Sequence, residues 1–266
     1  MIVDFDPDQR DLTTSLTIKT GKPSFNQCLV HESINIRDVI YPYKIKSNKL
    51  KKELGFDVIP IPIDETREIW VEDKLRQKIK VSRLSKVLEP LKNNYDYILI
   101  DSSPNWRIFS QSAIYAADVV LIPAKHNNSF SLENAAVAIK KYIPLVQQER
   151  NDKDCGPLVL PIFFNGEKIT EAQMKNAQLY TEAQMKNAQL YIDKLIKDAK
   201  QDPNNQFDLL PYFYSSYKSA NKNRKIFRLP NHASIVKFAF SHVPAVYRDR
   251  VVRESYKNLV KEYFLL

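Results

Sequence analysis

Residues Tyr95–Pro104 read YDYILIDSSP, an apolar run that ends in one carboxylate, Asp101, and breaks at once into a Ser-Ser-Pro turn. A strand without polar alternation is one covered on both faces, the habit of parallel sheets. An acid at its carboxyl end stands where open α/β sheets bind ligands. The chain opens on a second run of this kind, Ile2-Val3-Asp4-Phe5-Asp6-Pro7. Phe56–Pro60, Val119–Pro123, Leu158–Phe164 and Phe207–Leu210 are further strand candidates, short and rich in Val, Ile, Leu and Phe. Between them, Glu65–Leu91 and Ser129–Val146 place apolar residues at helical spacing, the second meeting Pro144 near its end. The alternation predicts an α/β fold with a doubly wound, mainly parallel sheet and flanking helices. At 266 residues one domain over 1–266 is expected.

Charge narrows the class of partner. The net charge of +9 is concentrated in 211–266, where 11 Lys or Arg stand against 3 acids, leaving +1 for the rest. A basic segment of this kind points to an anionic partner, nucleic acid before membrane. Lys218, Lys222, Arg224, Lys225 and Arg228 cluster beside Tyr214, Tyr217 and Phe227, and Arg250, Arg253 and Lys257 recur at helical spacing. No base-reading motif accompanies them, so phosphate contact without sequence specificity is the expectation. The two cysteines have no metal or redox spacing, which favours a reducing cytoplasm.

The sequence TEAQMKNAQLY fills 170–180 and recurs unchanged over 181–191. Eleven residues make about three helical turns plus some 20°, so a second copy presents nearly the same face. Met174, Ala177, Met185, Ala188, Tyr191 and Leu195 are expected to form one stripe on a lengthened helix.

Asp4 and Asp6 lie two apart at the end of a strand and so point the same way. Two carboxylates at such a place are costly unless they face water, a cation or hydrogen-bond donors. With Asp101 at a second strand end, three acids could hold a hydrated Mg²⁺ and orient water beside a phosphate.

In order and separation these segments resemble the ParA family of partition ATPases, within the MinD-like group. IVDFDP at 2–7 is similar to the family's LLVDLDPQ, and Asp11-Leu12-Thr13 to the Asn-Leu/Ala-Thr that follows it. Ile36–Ile40 resembles the LxDVL helix, Phe56–Pro60 the LxVIP strand, Tyr95–Pro104 the Walker-B strand YDYILIDCPP, and Ala116–Pro123 the segment AADxVLIP. The resemblance implies an ATPase that uses ATP and Mg²⁺, dimerises on ATP and binds DNA nonspecifically on the nucleoid. It also implies stimulation by a centromere-binding partner of the ParB type. By position it makes Asp101 the acid that holds Mg²⁺ through water, Asp6 the acid that places the attacking water, Asp4 a neighbour of the phosphate loop, and Asn165 an adenine contact. A MinD-like alternative makes the last helix a membrane anchor.

One family element has no counterpart. Gripping the phosphates takes a Gly-rich turn with a Lys and a Ser or Thr. The four glycines, at 21, 55, 156 and 166, form no cluster, and Gly21-Lys22 is followed by Pro23. The expectation is a chain without the first strand, loop and helix of the fold, inactive in hydrolysis, with about 30 further residues encoded upstream of Met1.

Overall fold

The chain is described from a computed structural model, over residues 1–47, 52–61, 77–150, 156–166, 177–214 and 226–264. Contacts gather it into two compact units, Met1–Asp118 and Val119–Leu266, where the sequence suggests one domain.

Among the described residues of the first unit, four strands lie in the order β2-β3-β1-β4. These are β1 (Ile2–Phe5), β2 (Tyr41–Ser47), β3 (Lys52–Ile59) and β4 (Leu99–Ser102). β1 pairs in parallel with β3 and with β4, and the β2–β3 pair is antiparallel. The register sets Ile2 against Leu99 and Asp4 against Asp101. Val3 and Phe5 are fully buried, and Phe25, Leu29, Leu84, Leu91 and Phe109 complete the core around them. Its helices are α1 (Asp11–Ser15), α2 (Phe25–Val30), α3 (Arg83–Leu88) and α4 (Ile108–Ala116). A capping box closes the start of α2: Gln27 accepts the Ser24 amide at 2.9 Å.

Among the described residues the second unit has five short strands: β5 (Val119–Val120), β6 (Pro123–Ala124), β7 (Leu158–Val159), β8 (Phe163–Asn165) and β9 (Phe227–Leu229). They form two sheets, β5-β7 and β6-β8-β9, parallel throughout. Helix α5 (Ser129–Val137) runs on into α6 (Ile143–Glu149) through a π turn over 138–142. Pro144 has no N–H to give, and the wider turn just before it accommodates that loss without ending the rod.

Helix α7 (Ala177–Gln201) takes in the second copy of the repeat. It buries Ala188, Ile192, Ile196 and Ala199, with Met185, Tyr191 and Leu195 packed partly against the same core. The expected stripe thus reaches the core through Met185, Ala188, Tyr191 and Leu195. Met174 lies outside the described residues. The remaining helices are α8 (Leu210–Phe213), α9 (Ala233–Ala239) and α10 (Arg250–Tyr263).

Three strand expectations change. Phe207–Leu210 is not a strand: Asp208 accepts the Leu210 amide at 3.0 Å and Pro211 sits in the first turn of α8, so the segment starts a helix. Val119–Pro123 and Leu158–Phe164 each divide in two, since β5 and β7 pair in one sheet while β6 and β8 pair in another.

Candidate functional site

The site grows from the end of β1. Beyond Phe5 the chain turns tightly: Asp6 Oδ1 accepts the amides of Asp8 (3.1 Å) and Gln9 (3.3 Å), and the Asp6 carbonyl accepts that of Arg10 (2.9 Å). Arg10 takes a left-handed conformation, φ 54° and ψ 29°, and steers the chain into α1. That turn brings Thr13 back onto Asp4. The Thr13 amide and hydroxyl both donate to Asp4 Oδ2, at 2.9 and 2.6 Å, while Asp4 Oδ1 accepts the Asp6 amide at 3.3 Å. Thr13 Oγ1 in turn accepts the Ile61 amide at 3.0 Å, tying the turn to the chain beyond β3.

Asp4 is 0% exposed and Asp6 7%, whereas Asp101 is open to solvent. Asp4 and Asp101 are register partners on adjacent parallel strands, so their side chains leave the same face of the sheet. Burial raises the Asp4 carboxyl above its ordinary value against the opposing pull of Thr13 and the Asp6 amide, and the Asp6 charge adds to the rise. The Asp101 carboxyl is also held high, by partial desolvation first and then by the charges of Asp4, Asp6 and Asp11. Because Asp101 faces water, screening blunts these effects.

The structure therefore gathers Asp4, Asp6 and Asp101 into one acidic group in the first unit. Among the described residues, no three His, Cys, Asp or Glu side chains are set to hold a metal ion by themselves. A hydrated Mg²⁺ makes no such demand, since it keeps most of its waters and takes one or two carboxylates plus phosphate oxygens. Asp101 fits that use. Asp4 fits it less well, being fully buried with three hydrogen bonds already accepted by its carboxylate. The four glycines, at 21, 55, 156 and 166, form no cluster.

Two participants escaped the sequence reading. Thr13 was visible as part of a motif, but its grip on Asp4 was not. Asp11, the first residue of α1, adds charge toward Asp101. The signal for both was a Thr and an Asp in a short helix directly after an Asp-Pro turn.

Asn165 ends β8 in the second unit, exposed, and is followed by Gly166, whose amide donates to the Leu229 carbonyl at 2.8 Å. A Cβ on Gly166 would come within 2.6 Å of the Asn231 nitrogen, so the close approach of these two segments requires glycine.

The basic residues divide. Arg250 and Lys257 are exposed on α10, and Lys257 pairs with Glu254 at 3.0 Å. Arg253 is half-buried, giving Nε to the Val246 carbonyl (2.8 Å) and Nη2 to that of Tyr247 (3.1 Å). Arg228 lies within β9, half-buried, with a buried Nε that meets no hydrogen-bond acceptor. Lys218, Lys222, Arg224 and Lys225 lie outside the described residues. Among the described residues, no helix is long and apolar enough to cross a membrane.

Comparison with known proteins agrees with this frame. The AAA_31 family, an AAA domain, matches residues 1–154. The sporulation initiation inhibitor protein Soj of Bacillus subtilis is 31% identical over 152 residues, 57% of this chain and 55% of Soj. Plasmid partition protein A of Escherichia coli is 33% identical over 75 residues, 26% of this chain and 19% of that protein. The matches thus span about half, or less, of these curated relatives. Among solved structures, the ATP complex of Cyanothece McdA(D38A) superposes with a TM-score of 0.61 at 16% identity, covering 98% of this chain and 83% of that one. The septum site-determining protein MinD of Pyrococcus horikoshii, complexed with Mg-ADP, gives 0.56 at 15% identity over 98% and 81%. At such identities the likeness establishes the fold: α/β, mainly parallel, of the MinD and McdA kind.

Proposed function

The chain belongs to the AAA_31 family of AAA domains, among ParA-, Soj- and MinD-like ATPases, and on that premise we propose that it is a ParA-like protein of plasmid or chromosome segregation. In this reading it associates with DNA without sequence preference and works with a centromere-binding partner of the ParB type. Residues 1–266 alone do not hydrolyse ATP. The observation that carries the proposal is the register of Asp4 with Asp101 at the carboxyl ends of neighbouring parallel strands. That is the edge at which open α/β sheets meet their ligands.

Asp101, exposed and surrounded by negative charge, is assigned to Mg²⁺ through a bound water. Asp6, held by the amides of Asp8 and Gln9, is assigned to a water beside the phosphate, and Asp4 to fixing the turn between them. A nucleotide would contribute phosphate oxygens and reactivity. This chain's carboxylates would contribute charge and orientation, and its sequence offers no glycine-rich backbone to hold the phosphates. Since phosphoryl transfer rests on positioning and charge stabilisation, a chain with only the acidic side should bind Mg-ATP weakly and leave it intact. Asn165 is assigned to an adenine contact.

For DNA, the proposal names Arg250, Arg253 and Lys257 on α10 with Arg228 and the cluster Lys218, Lys222, Arg224 and Lys225. Arg250 and Lys257 stand most open to a phosphate. An ATP-dependent homodimer belongs to the same reading only where a phosphate loop is supplied.

The test is direct. Purified chain should release no phosphate from ATP above a protein-free blank. Its retention on duplex DNA should fall steeply with salt, the logarithmic slope losing roughly 0.9 for each phosphate contact removed. Phosphate release that disappears in Asp101→Asn would mean that the chain turns ATP over without a phosphate loop, against the proposal. Retention indifferent to salt, or to Lys222→Glu with Arg224→Glu, would remove the DNA role.

A further inference from the structure

Three buried residues meet where β1 ends. Asp4 on β1, Thr13 on α1 and Ile61, just beyond β3, are each 0% exposed. Thr13 joins them. Its hydroxyl donates to Asp4 Oδ2 at 2.6 Å, and the same hydroxyl oxygen accepts the Ile61 amide at 3.0 Å, from 48 residues along the chain. The Thr13 amide holds Asp4 Oδ2 a second time, at 2.9 Å. At full burial water does not replace a lost partner, so each broken contact leaves a polar group unpaired. Asp4 passes the constraint on. Its Oδ1 accepts the Asp6 amide at 3.3 Å, and Asp6 in turn gathers the amides of Asp8 and Gln9. On its other side Asp4 is the register partner of Asp101.

We propose that Thr13 is a positioning residue of the acidic edge, and that it couples cation binding at Asp101 to the chain leaving β3 at Ile61. The proposal rests on the reading of that edge as a Mg²⁺ site. Thr13 meets neither cation nor phosphate; it acts through Asp4. A hydroxyl that donates to a carboxylate is polarised and accepts more strongly, so the bonds from Ile61 to Thr13 and from Thr13 to Asp4 support each other. What opposes them is the crowding of like charge, since Asp4, Asp6 and Asp11 all bear on Asp101. A cation beside Asp101 offsets that repulsion. Asp4 then stays seated on its donors, and Thr13 keeps its hold on Ile61. Linkage makes the effect mutual: whatever the cation does for the Ile61 contact, that contact does for the cation. The choice of side chain is narrow. Serine keeps the hydroxyl, whereas valine keeps the shape and loses donor and acceptor together.

Amide NMR of the 266-residue chain, titrated with MgCl₂ at constant ionic strength and without nucleotide, tests this. Saturable shifts are expected at Asp6, Thr13 and Ile61, with slower exchange of the Ile61 amide once Mg²⁺ is bound. Asp101→Asn should abolish them. Thr13→Val should weaken Mg²⁺ binding about fivefold, the low end of ordinary coupling between sites, and Thr13→Ser should bind as the parent does. If Mg²⁺ binds at Asp101 while Ile61 exchange stays unchanged, Thr13 is merely structural: the proposal is overturned and the Mg²⁺ reading stands. Unaltered affinity in a folded Thr13→Val has the same consequence. Should Thr13→Val fail to fold, the Ile61 amide of the parent decides alone. No saturable shift at the edge, or shifts that persist in Asp101→Asn, would sink the Mg²⁺ reading and this proposal with it.

Discussion

Asp4 directs nearly all its hydrogen-bonding capacity inward, and two of its three donors come from Thr13. Thr13→Val keeps the shape but removes the hydroxyl that also receives the Ile61 amide. A hydrogen bond to a charged group is worth roughly 1.5–3 kcal/mol, so the variant should lose about that much, read from the urea midpoint, with Thr13→Ser close to the parent. Asp101 predicts the opposite sign. Its carboxyl is held above the ordinary value of 3.8, so near neutral pH its charge opposes folding. For an acid raised in the folded state, the native protein binds more protons than the unfolded one between the two values. The favourable contribution is full below about pH 3.8 and is lost as pH rises through the folded value. Asp101→Asn should therefore raise the melting temperature at pH 7, with the gain shrinking as pH falls through the raised folded value and gone below about pH 3.8. A gain independent of pH would assign the effect to something other than charge. The sequence disclosed these acids because strand ends advertise themselves by an apolar run, a carboxylate and a turn. It did not disclose that Thr13 satisfies Asp4, which depends on the left-handed turn at Arg10.

Elements reveal how far such reading extends. β1 was legible to the residue, since Ile2–Phe5 is a continuous apolar stretch broken only by Asp4 and ended by the Asp6-Pro7 turn. β2 was not: Tyr41–Ser47 carries Pro42 and alternates with Lys44 and Lys46, the dress of an antiparallel edge rather than of a covered parallel strand. β9 lay hidden in a segment whose charge dominates its pattern. That charge also concealed a division of labour along α10. Asp249 caps the helix by accepting the Val251 and Val252 amides at 2.8 and 3.1 Å, and its Ser234 hydrogen bond holds its carboxyl low. Arg253 pins the helix to the carbonyls of Val246 and Tyr247, while Arg250 at the first turn projects into solvent. Arg253→Ala should then destabilise the chain by about 1–3 kcal/mol in denaturant titration, the worth of charged hydrogen bonds to half-buried carbonyls. Arg250→Ala should leave stability within about 0.5 kcal/mol and instead weaken retention on DNA. A reversed outcome would place the phosphate-facing side of α10 elsewhere.

At the scale of the whole molecule, the doubly wound α/β class was legible because alternating covered strands and amphipathic stretches leave few other solutions. The grouping into two units was not, because every local pattern is shared by both. Each unit has its own core: Leu84 is fully buried among Val3, Phe5, Phe25 and Leu91, and Ile192 among Leu132, Ile139, Phe164 and Phe213. The reporters are divided as well. Trp106 belongs to Met1–Asp118, whereas the 25-residue helix α7 belongs to Val119–Leu266, and Trp70 lies outside the described residues. Truncating a buried Leu or Ile to Ala removes transfer energy and leaves a cavity, costing about 2–5 kcal/mol. Leu84→Ala should accordingly shift the unfolding curve followed by tryptophan fluorescence more than the curve followed by circular dichroism at the helical band, and Ile192→Ala should do the reverse. If each variant moves both curves together, the chain unfolds as one cooperative body in which neither core fails alone.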